Sequence, residues 1–471
     1  MSAPSGGTVP PAISHPAAAA AAAAHFKIDA TSCASVAAAY DVTDAGTAAW
    51  AAQLPGTSLT GQSLQPVAVG GLAVFAFGNV ISARRLTDGR QVWQRVYAEP
   101  AGSSAGDVGG LWAWHGELIA LIAPTNLGQR PVDMRVQALS PATGAVRWTA
   151  DLGPGDLYND QEITPGGVLA VLTETGGAGG LGKLMAVDLN TGRLLWSRPY
   201  GQQELTDGPD AVGTVIVMAE RGTVTGFDAR TGAVLWSHGG MPGPAGSVAG
   251  PGDLVLLYDL FQQTPGGRPV PSSQLFPVTA LDARTGAVRW RVLTAGPVSQ
   301  LSAADGLILI GTSGTYRLQA VSPAGRVTWS VPEYVANPVT WVDTGTDLVY
   351  VSSEPNEMAP GSAPVPTKLV DRRLATGAVR WSTPLSGSAG AQVVWPYGGN
   401  LVAIEEPDTS ATPAALAVDL ATGQIRGSAS LASLVPGAPA VAGGDTLMEM
   451  VSAPCPEAEA PGPAITASSQ P

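Results

Sequence analysis

The stretch Ala280–Trp290 reads ALDARTGAVRW, and Ala186–Trp196 repeats it as AVDLNTGRLLW. Close copies stand at Gly226–Trp236 (GFDARTGAVLW), Ala138–Trp148 (ALSPATGAVRW) and Asp371–Trp381 (DRRLATGAVRW). Looser ones are Ala83–Trp93 (ARRLTDGRQVW) and Ala320–Trp329, which is one residue short. Ala417–Gly427 keeps the turn but has Gly427 where the others have tryptophan, and a degenerate early copy ends at Trp50. Composition does not produce this pattern. With 59 glycines among 471 residues, the 12 tryptophans should have about 1.5 glycines four positions before them; nine do, eight of them in the repeat register.

The phrase has a mechanical reading. Alternating apolar residues before it form a strand. Asp or Ser, then x-x-Thr-Gly, is a hairpin turn: the side-chain oxygen bonds backbone N–H groups ahead of it, and glycine supplies the positive φ. The strand then resumes and carries a tryptophan at one fixed place, which suggests packing between units at Trp50, Trp93, Trp148, Trp196, Trp236, Trp290, Trp329 and Trp381. From Trp93 to Gly427 is 334 residues in seven steps, about 48 each. Each step holds two more strand-like runs. A repeated four-stranded unit of this size predicts an all-β propeller of antiparallel blades.

These residues resemble the PQQ-binding-like propeller repeat, found in quinoprotein alcohol dehydrogenases and in the propeller lipoprotein of the bacterial outer-membrane barrel-assembly machine. The resemblance spans about residues 35–455. Eight complete units end near Trp93, Trp148, Trp196, Trp236, Trp290, Trp329, Trp381 and Gly427. Residues 35–54 read as the last two strands of a further unit and 438–452 as its first two, so pairing of the chain ends would close the ring. Strict counting gives nine blades; the resemblance implies eight.

The remaining sequence bounds the domain. Residues 1–32 are a low-complexity segment with an alanine tract at Ala17–Ala24, and 456–471 form a Pro/Ala-rich tail, both expected to be disordered. That leaves 33–455 as one domain. Cys33 and Cys455, the two cysteines, flank the terminal strand pairs, and a split blade would bring them together as a disulfide; two unrelated thiols are the alternative. A structural disulfide implies an oxidising compartment, so an extracytoplasmic site is expected, although neither signal nor anchor is visible in the sequence.

Composition limits function. Net charge is −13 and lysines number only three, Lys27, Lys183 and Lys368, which argues against nucleic acid and against an anionic membrane surface. No apolar run is long enough for a spanning helix. Glycine and proline make up 99 of the 471 residues, too many for long helices. Gly102–Gly106 (GSSAG) matches the nucleophile elbow, and Gly177–Gly182 (GAGGLG) the dinucleotide loop, but neither has the helix its chemistry needs. Four histidines and two distant cysteines give no metal spacing.

One asymmetry remains. In the family resembled, loops entering each blade's inner strand surround the central funnel. Here they carry Glu99 and Asp107, then Asp156, Asp160 and Glu162, then Glu204, Asp207 and Asp210, while later ones have Glu333. Solvation of an acidic protein explains them; a site for a cation or basic partner is the sharper reading. Trp112, Trp114, Trp341 and Trp395 fall outside the register, and exposed at a funnel such residues form a ligand platform. The expected function is a non-enzymatic scaffold or sensor module, acting as a monomer, with a protein or small ligand as partner. The alternative is a quinoprotein alcohol dehydrogenase holding PQQ over calcium, although the adjacent cysteine pair typical of those enzymes is absent. A hydrolase or lyase built on Asp160 and Asp207 is the third reading.

Overall fold

The computed structural model describes residues 35–452 except 42–47, 55–63, 65, 98–107, 124–131, 175–180, 202–207, 221, 240–244, 260–274, 313–315, 334, 336–341, 344, 354–366, 386–389, 398–399, 407–413, 431–439 and 443–445. The described elements are all β-strands, and among the described residues no helix is long and apolar enough to cross a membrane.

The first complete unit shows how the sequence builds the sheet. Strands Val67–Val69, Leu72–Phe77, Val80–Arg85 and Gln91–Val96 pair antiparallel in that order. Every residue of Leu72–Phe77 (LAVFAF) is buried. Such an unbroken apolar run needs cover on both faces, because successive side chains of a strand point to opposite sides. Val74 and Ala76 accordingly join one core cluster with Leu118, Ala120 and Ile122 of the next unit. Ile119 and Leu121, on the opposite face of that same strand, join Leu169 and Val171 of the unit after. The core is thus a series of apolar layers, each shared by two neighbouring units.

The four-strand order recurs over 210–239, 245–294, 298–332, 342–384 and 390–430. Residues 108–201 instead make one seven-stranded sheet, because Val146–Ile163 belongs to two units. Its first half, to Gly155, pairs with Val132–Leu139; its second, from Asp156, pairs with Val168–Glu174. A last sheet joins the chain ends: Ser35–Asp41 pairs with Thr446–Ser452, from Ser35↔Ser452 to Asp41↔Thr446, flanked by Ala48–Leu54 and Ala440–Ala442. The described strands therefore form eight consecutive four-strand units and one sheet of mixed origin. Ala440–Ala442 lies against the first strand of the last unit, Gly390–Tyr397, and against the first strand of the first, Val67–Val69.

The repeated phrase forms the seam between units. In its turn, Asp282 Oδ1 accepts from the N–H groups of Arg284 and Thr285 and from the Thr285 hydroxyl, at 2.8–3.1 Å. Asp228 and Asp419 do the same. In the units that carry it, the tryptophan then reaches the turn of the next. The Nε1–H groups of Trp93, Trp196, Trp236, Trp290, Trp329 and Trp381 donate to the carbonyls of Pro141, Ala229, Ala283, Pro323, Leu374 and Leu420, at 2.5–2.9 Å. The indole lies flat on the turn glycine: a Cβ on Gly286 would stand 2.5 Å from Cγ of Trp236, and one on Gly192 2.5 Å from Cδ2 of Trp148. The glycine therefore answers two demands, a φ near +68° and room for a ring from the neighbouring sheet. Trp50 pairs with Ala39 through its backbone, and its side chain lies outside the described residues.

Candidate functional site

The acidic positions separate. Asp156, Asp160 and Glu162 lie on the second half of Val146–Ile163, the first strand of its unit. Glu162 is exposed; the side chains of Asp156 and Asp160 lie outside the described residues, as do Glu99, Asp107, Glu204 and Asp207 altogether. Asp210, in the first strand of the next unit, is half-buried and accepts the Ser247 hydroxyl from the first strand of the unit after. Glu333 is not at a surface. It is buried, accepts from Tyr350 Oη at 2.6 Å and from Arg372 Nη2, and lies 3.4 Å from Lys368 Nζ. Its carboxylate is engaged inside the protein, so it contributes no binding group to a funnel mouth. Burial pushes its pKa up, but the bonds from Tyr350 and Arg372 and the charges of Arg372 and Lys368 outweigh this and leave it lowered.

A cleft of about 610 Å³ opens where the first strands of three successive units meet, at Val67–Val69, Val108–Trp114 and the second half of Val146–Ile163. Its most prominent groups are Trp112 and Trp114. Trp112 lies over Gly110, where a Cβ would meet Cη2 of the ring at 2.0 Å. Trp114 covers Gly167 of the next unit, stacks on His115 at 4.4 Å, and its Nε1–H donates to Asn190 Oδ1 at 3.4 Å. Gln161 and Ile163 form the facing wall, and among the described residues none that lines the cleft carries a charge. The arrangement can hold an apolar or backbone-rich ligand. Trp341 and the side chain of Trp395 lie outside the described residues, as does 102–106. Leu181 and Gly182, the described end of the 177–182 glycine stretch, begin a strand rather than a helix.

A second unusual group sits within the repeat itself. Opposite each seam tryptophan the paired residue is small: Ala83, Ala138, Ala186, Gly226, Ala280 and Ala320. Opposite Trp381 it is Asp371, which is 1% exposed. Its Oδ2 takes a bond from Arg380 Nη1 at 3.1 Å, a donor shared with Asp347, while Oδ1 has no partner. Burial pushes the Asp371 carboxyl up to about 6; Arg380 opposes this and Asp347 adds to it. A folded pKa above the unfolded one means the native state binds more protons between about pH 4 and 6. Stability attributable to this group therefore falls as pH rises through that window, and the deficit is full above it. Asp371→Ala, which restores the small residue of the other units, is expected to raise the unfolding free energy at pH 7 by about 1–3 kcal/mol. Urea unfolding at pH 4 and pH 7 checks this: the gain should shrink at pH 4, and a variant less stable than wild type at pH 7 would contradict it.

Known proteins share this repeat. The family described as outer membrane protein assembly factor BamB matches residues 28–119, 132–270 and 262–444. Among solved structures, the chain is similar to BamB from Moraxella catarrhalis, at 14% identity over 82% of this chain and 96% of that one, with a TM-score of 0.45. It is similar to a eukaryotic initiation factor at 9% identity, over 90% of this chain and 99% of that one, with a TM-score of 0.54. A quinohemoprotein alcohol dehydrogenase from Comamonas testosteroni is 12% identical over 91% of this chain and 78% of that one, with a TM-score of 0.40. No curated protein sequence matches the chain. Likeness at such identities speaks of fold and not of role.

Proposed function

We propose a non-enzymatic binding role for this chain, which belongs to the family of outer membrane protein assembly factor BamB, a family of β-propeller repeats. In this reading it is an extracytoplasmic propeller that presents one face to a partner, as a scaffold or sensor module. The observation that carries it is the Trp112–Trp114 cleft, whose described lining offers two indole faces and a strand edge to a ligand. A photo-crosslinking side chain placed at Ala113, in intact cells, should yield a discrete adduct that disappears with Trp112→Ala. The same probe at Val234, exposed on an outer strand, should yield none. Equal labelling from both positions would overturn the reading.

The competing reading is a quinone-dependent dehydrogenase. PQQ is a polyanion held over calcium. The cleft offers indole faces, but its lining has neither a cation for carboxylates nor a set of oxygen ligands for calcium, and among the described residues no three candidate metal ligands gather. These residues do not fit the group. Dye-linked alcohol oxidation after addition of PQQ and Ca²⁺ would reverse that judgement.

The ring, in our reading, has nine blades, shut by the sheet of mixed origin. The pairing Ser35↔Ser452 supports closure, as does the position of Ala440–Ala442 between the first strands of the last and first units. The same pairing supports a Cys33–Cys455 disulfide. Both cysteines lie outside the described residues, two positions before Ser35 and three after Ser452. An extended chain covers about 3.3–3.6 Å per residue, so the two ends can meet within the roughly 4.4–6.8 Å Cα separation a disulfide needs. A non-reduced digest of the exported protein is expected to contain the linked Cys33 and Cys455 peptides. Two thiols that both react with maleimide before reduction would remove the clasp, and with it the main argument for an oxidising compartment.

A further inference from the structure

We propose that the Trp112–Trp114 cleft binds an extended polypeptide, which adds as a strand to the open edge of Val108–Trp114 with apolar side chains at alternate positions. This rests on the binding role above and names its ligand. Six consecutive residues, Gly109–Trp114, all line the cleft. No face of a strand can present six in a row, because successive side chains alternate. What the cleft exposes is therefore the edge of the strand, its backbone. Among the described residues that edge has no strand partner: Val108–Trp114 ends its seven-stranded sheet.

The neighbouring hairpin fixes which backbone groups point outward. His115 and Gly116 both have positive φ, 47° and 79°, the mark of a two-residue type I′ turn. The flanking pair Trp114 and Glu117 then exchange both ladder bonds, and so, two residues back each time, do Trp112 with Ile119 and Gly110 with Leu121. Leu111 and Ala113 fall between. Their N–H and C=O groups point away from the sheet, into the cleft, and Ala113 is exposed. Unpaired strand-edge groups of this kind are a template for an added strand.

The side chains add selectivity. Trp112 and Trp114 are two residues apart on one face, about 7 Å along the strand, the repeat at which an added strand presents its own side chains. The facing wall presents Gln161 and Ile163, and among the described residues the lining has no charged group, so it suits apolar and neutral polar side chains.

The test titrates the full chain into a fluorescein-labelled peptide, Lys-Val-Thr-Val-Thr-Val-Lys, and reads anisotropy. Saturable binding is expected, little changed by salt or by exchange of the two lysines for glutamates, because the described lining carries no charge. N-methylation of one alternating set of peptide amides should weaken it at least about 10-fold and methylation of the other set less than about 2-fold, because one set alone can face the strand. Ala113→Pro removes one outward N–H and none of the ladder bonds; it should weaken binding at least about 10-fold with the melting temperature held. No binding of the parent peptide, or equal loss with both methylated sets, overturns the strand ligand. An adduct from Ala113 in cells together with no peptide binding would sink this inference and leave the binding role standing; absence of both would sink the two together.

Discussion

Trp236→Ala is expected to lower the unfolding free energy by about 3–5 kcal/mol, and Gly286→Ala, in the next unit, by a similar amount. The indole is buried, its N–H is held by the Ala283 carbonyl at 2.6 Å, and its ring lies on Gly286. Alanine at Gly286 meets two costs. Its φ of +68° lies in the left-handed region, a penalty of about 1–2 kcal/mol for a residue with a Cβ, and the new Cβ would stand 2.5 Å from a ring that cannot retreat without losing its hydrogen bond. Gly70 separates the two. Its φ is +58°, and nothing lies within 4 Å of a Cβ there, so Gly70→Ala should show the backbone cost alone, about 1–2 kcal/mol. A double-mutant cycle is sharper still. Once Trp236 is alanine, Gly286→Ala should fall to the Gly70 figure, leaving a coupling of about 1–3 kcal/mol. Additive effects in denaturant unfolding would mean that the ring and the glycine do not act as one joint.

This joint also shows how much could be read in one dimension. The Asp-x-x-Thr-Gly turn is local chemistry, so its residues declare it: Asp282 caps N–H groups two and three positions ahead. The regular tryptophans declare a packing role for the same reason of period. The second demand on glycine was not visible, because the ring that presses on Gly286 comes from Trp236, fifty residues earlier and in another sheet. Gly110 is a related case. It stands four before Trp114 outside the repeat phrase and looks accidental; in the structure it lies beneath Trp112. Acidic residues were the least legible. Glu333 follows the strand Val327–Pro332 in the sequence, yet its fate is decided by Arg372 and Lys368, which only the folded sheet brings to it. Asp371 stands in the phrase where other units have alanine or glycine, but nothing local declares that it is buried. The cleft was legible to the extent that Trp112 and Trp114 broke register. Which edge they border depended on the pairing with Glu117–Ile122.

The Glu333 group supplies the second large effect. Arg372 holds three places at once: its Nε–H donates to Tyr350 Oη and its Nη1–H to the Gly377 carbonyl, both at 2.6 Å, while Nη2 pairs with Glu333. Glu333 follows the last strand of one unit, Val327–Pro332, whereas Tyr350 and Arg372 lie in the middle strands of the next. The guanidinium therefore ties two units together and holds a turn. Arg372→Met keeps the bulk and removes the charge, leaving a buried carboxylate with the phenol and a half-exposed lysine. The expected loss is about 3–5 kcal/mol at pH 7. The pH dependence identifies the cause. In the wild type the Glu333 pKa is lowered, so its stabilisation is present above the ordinary glutamate range and is lost as pH falls through the folded value. In the variant, burial acts with far less opposition and raises that pKa, so protonation relieves the strain as pH falls. The gap between wild type and Arg372→Met should consequently narrow from pH 7 to pH 4, and Glu333→Gln added to the variant should recover part of the loss at pH 7 and little at pH 4. A gap of constant size across that range would assign the cost to lost packing and the Gly377 bond, and would show that the carboxylate is not what Arg372 is there to hold.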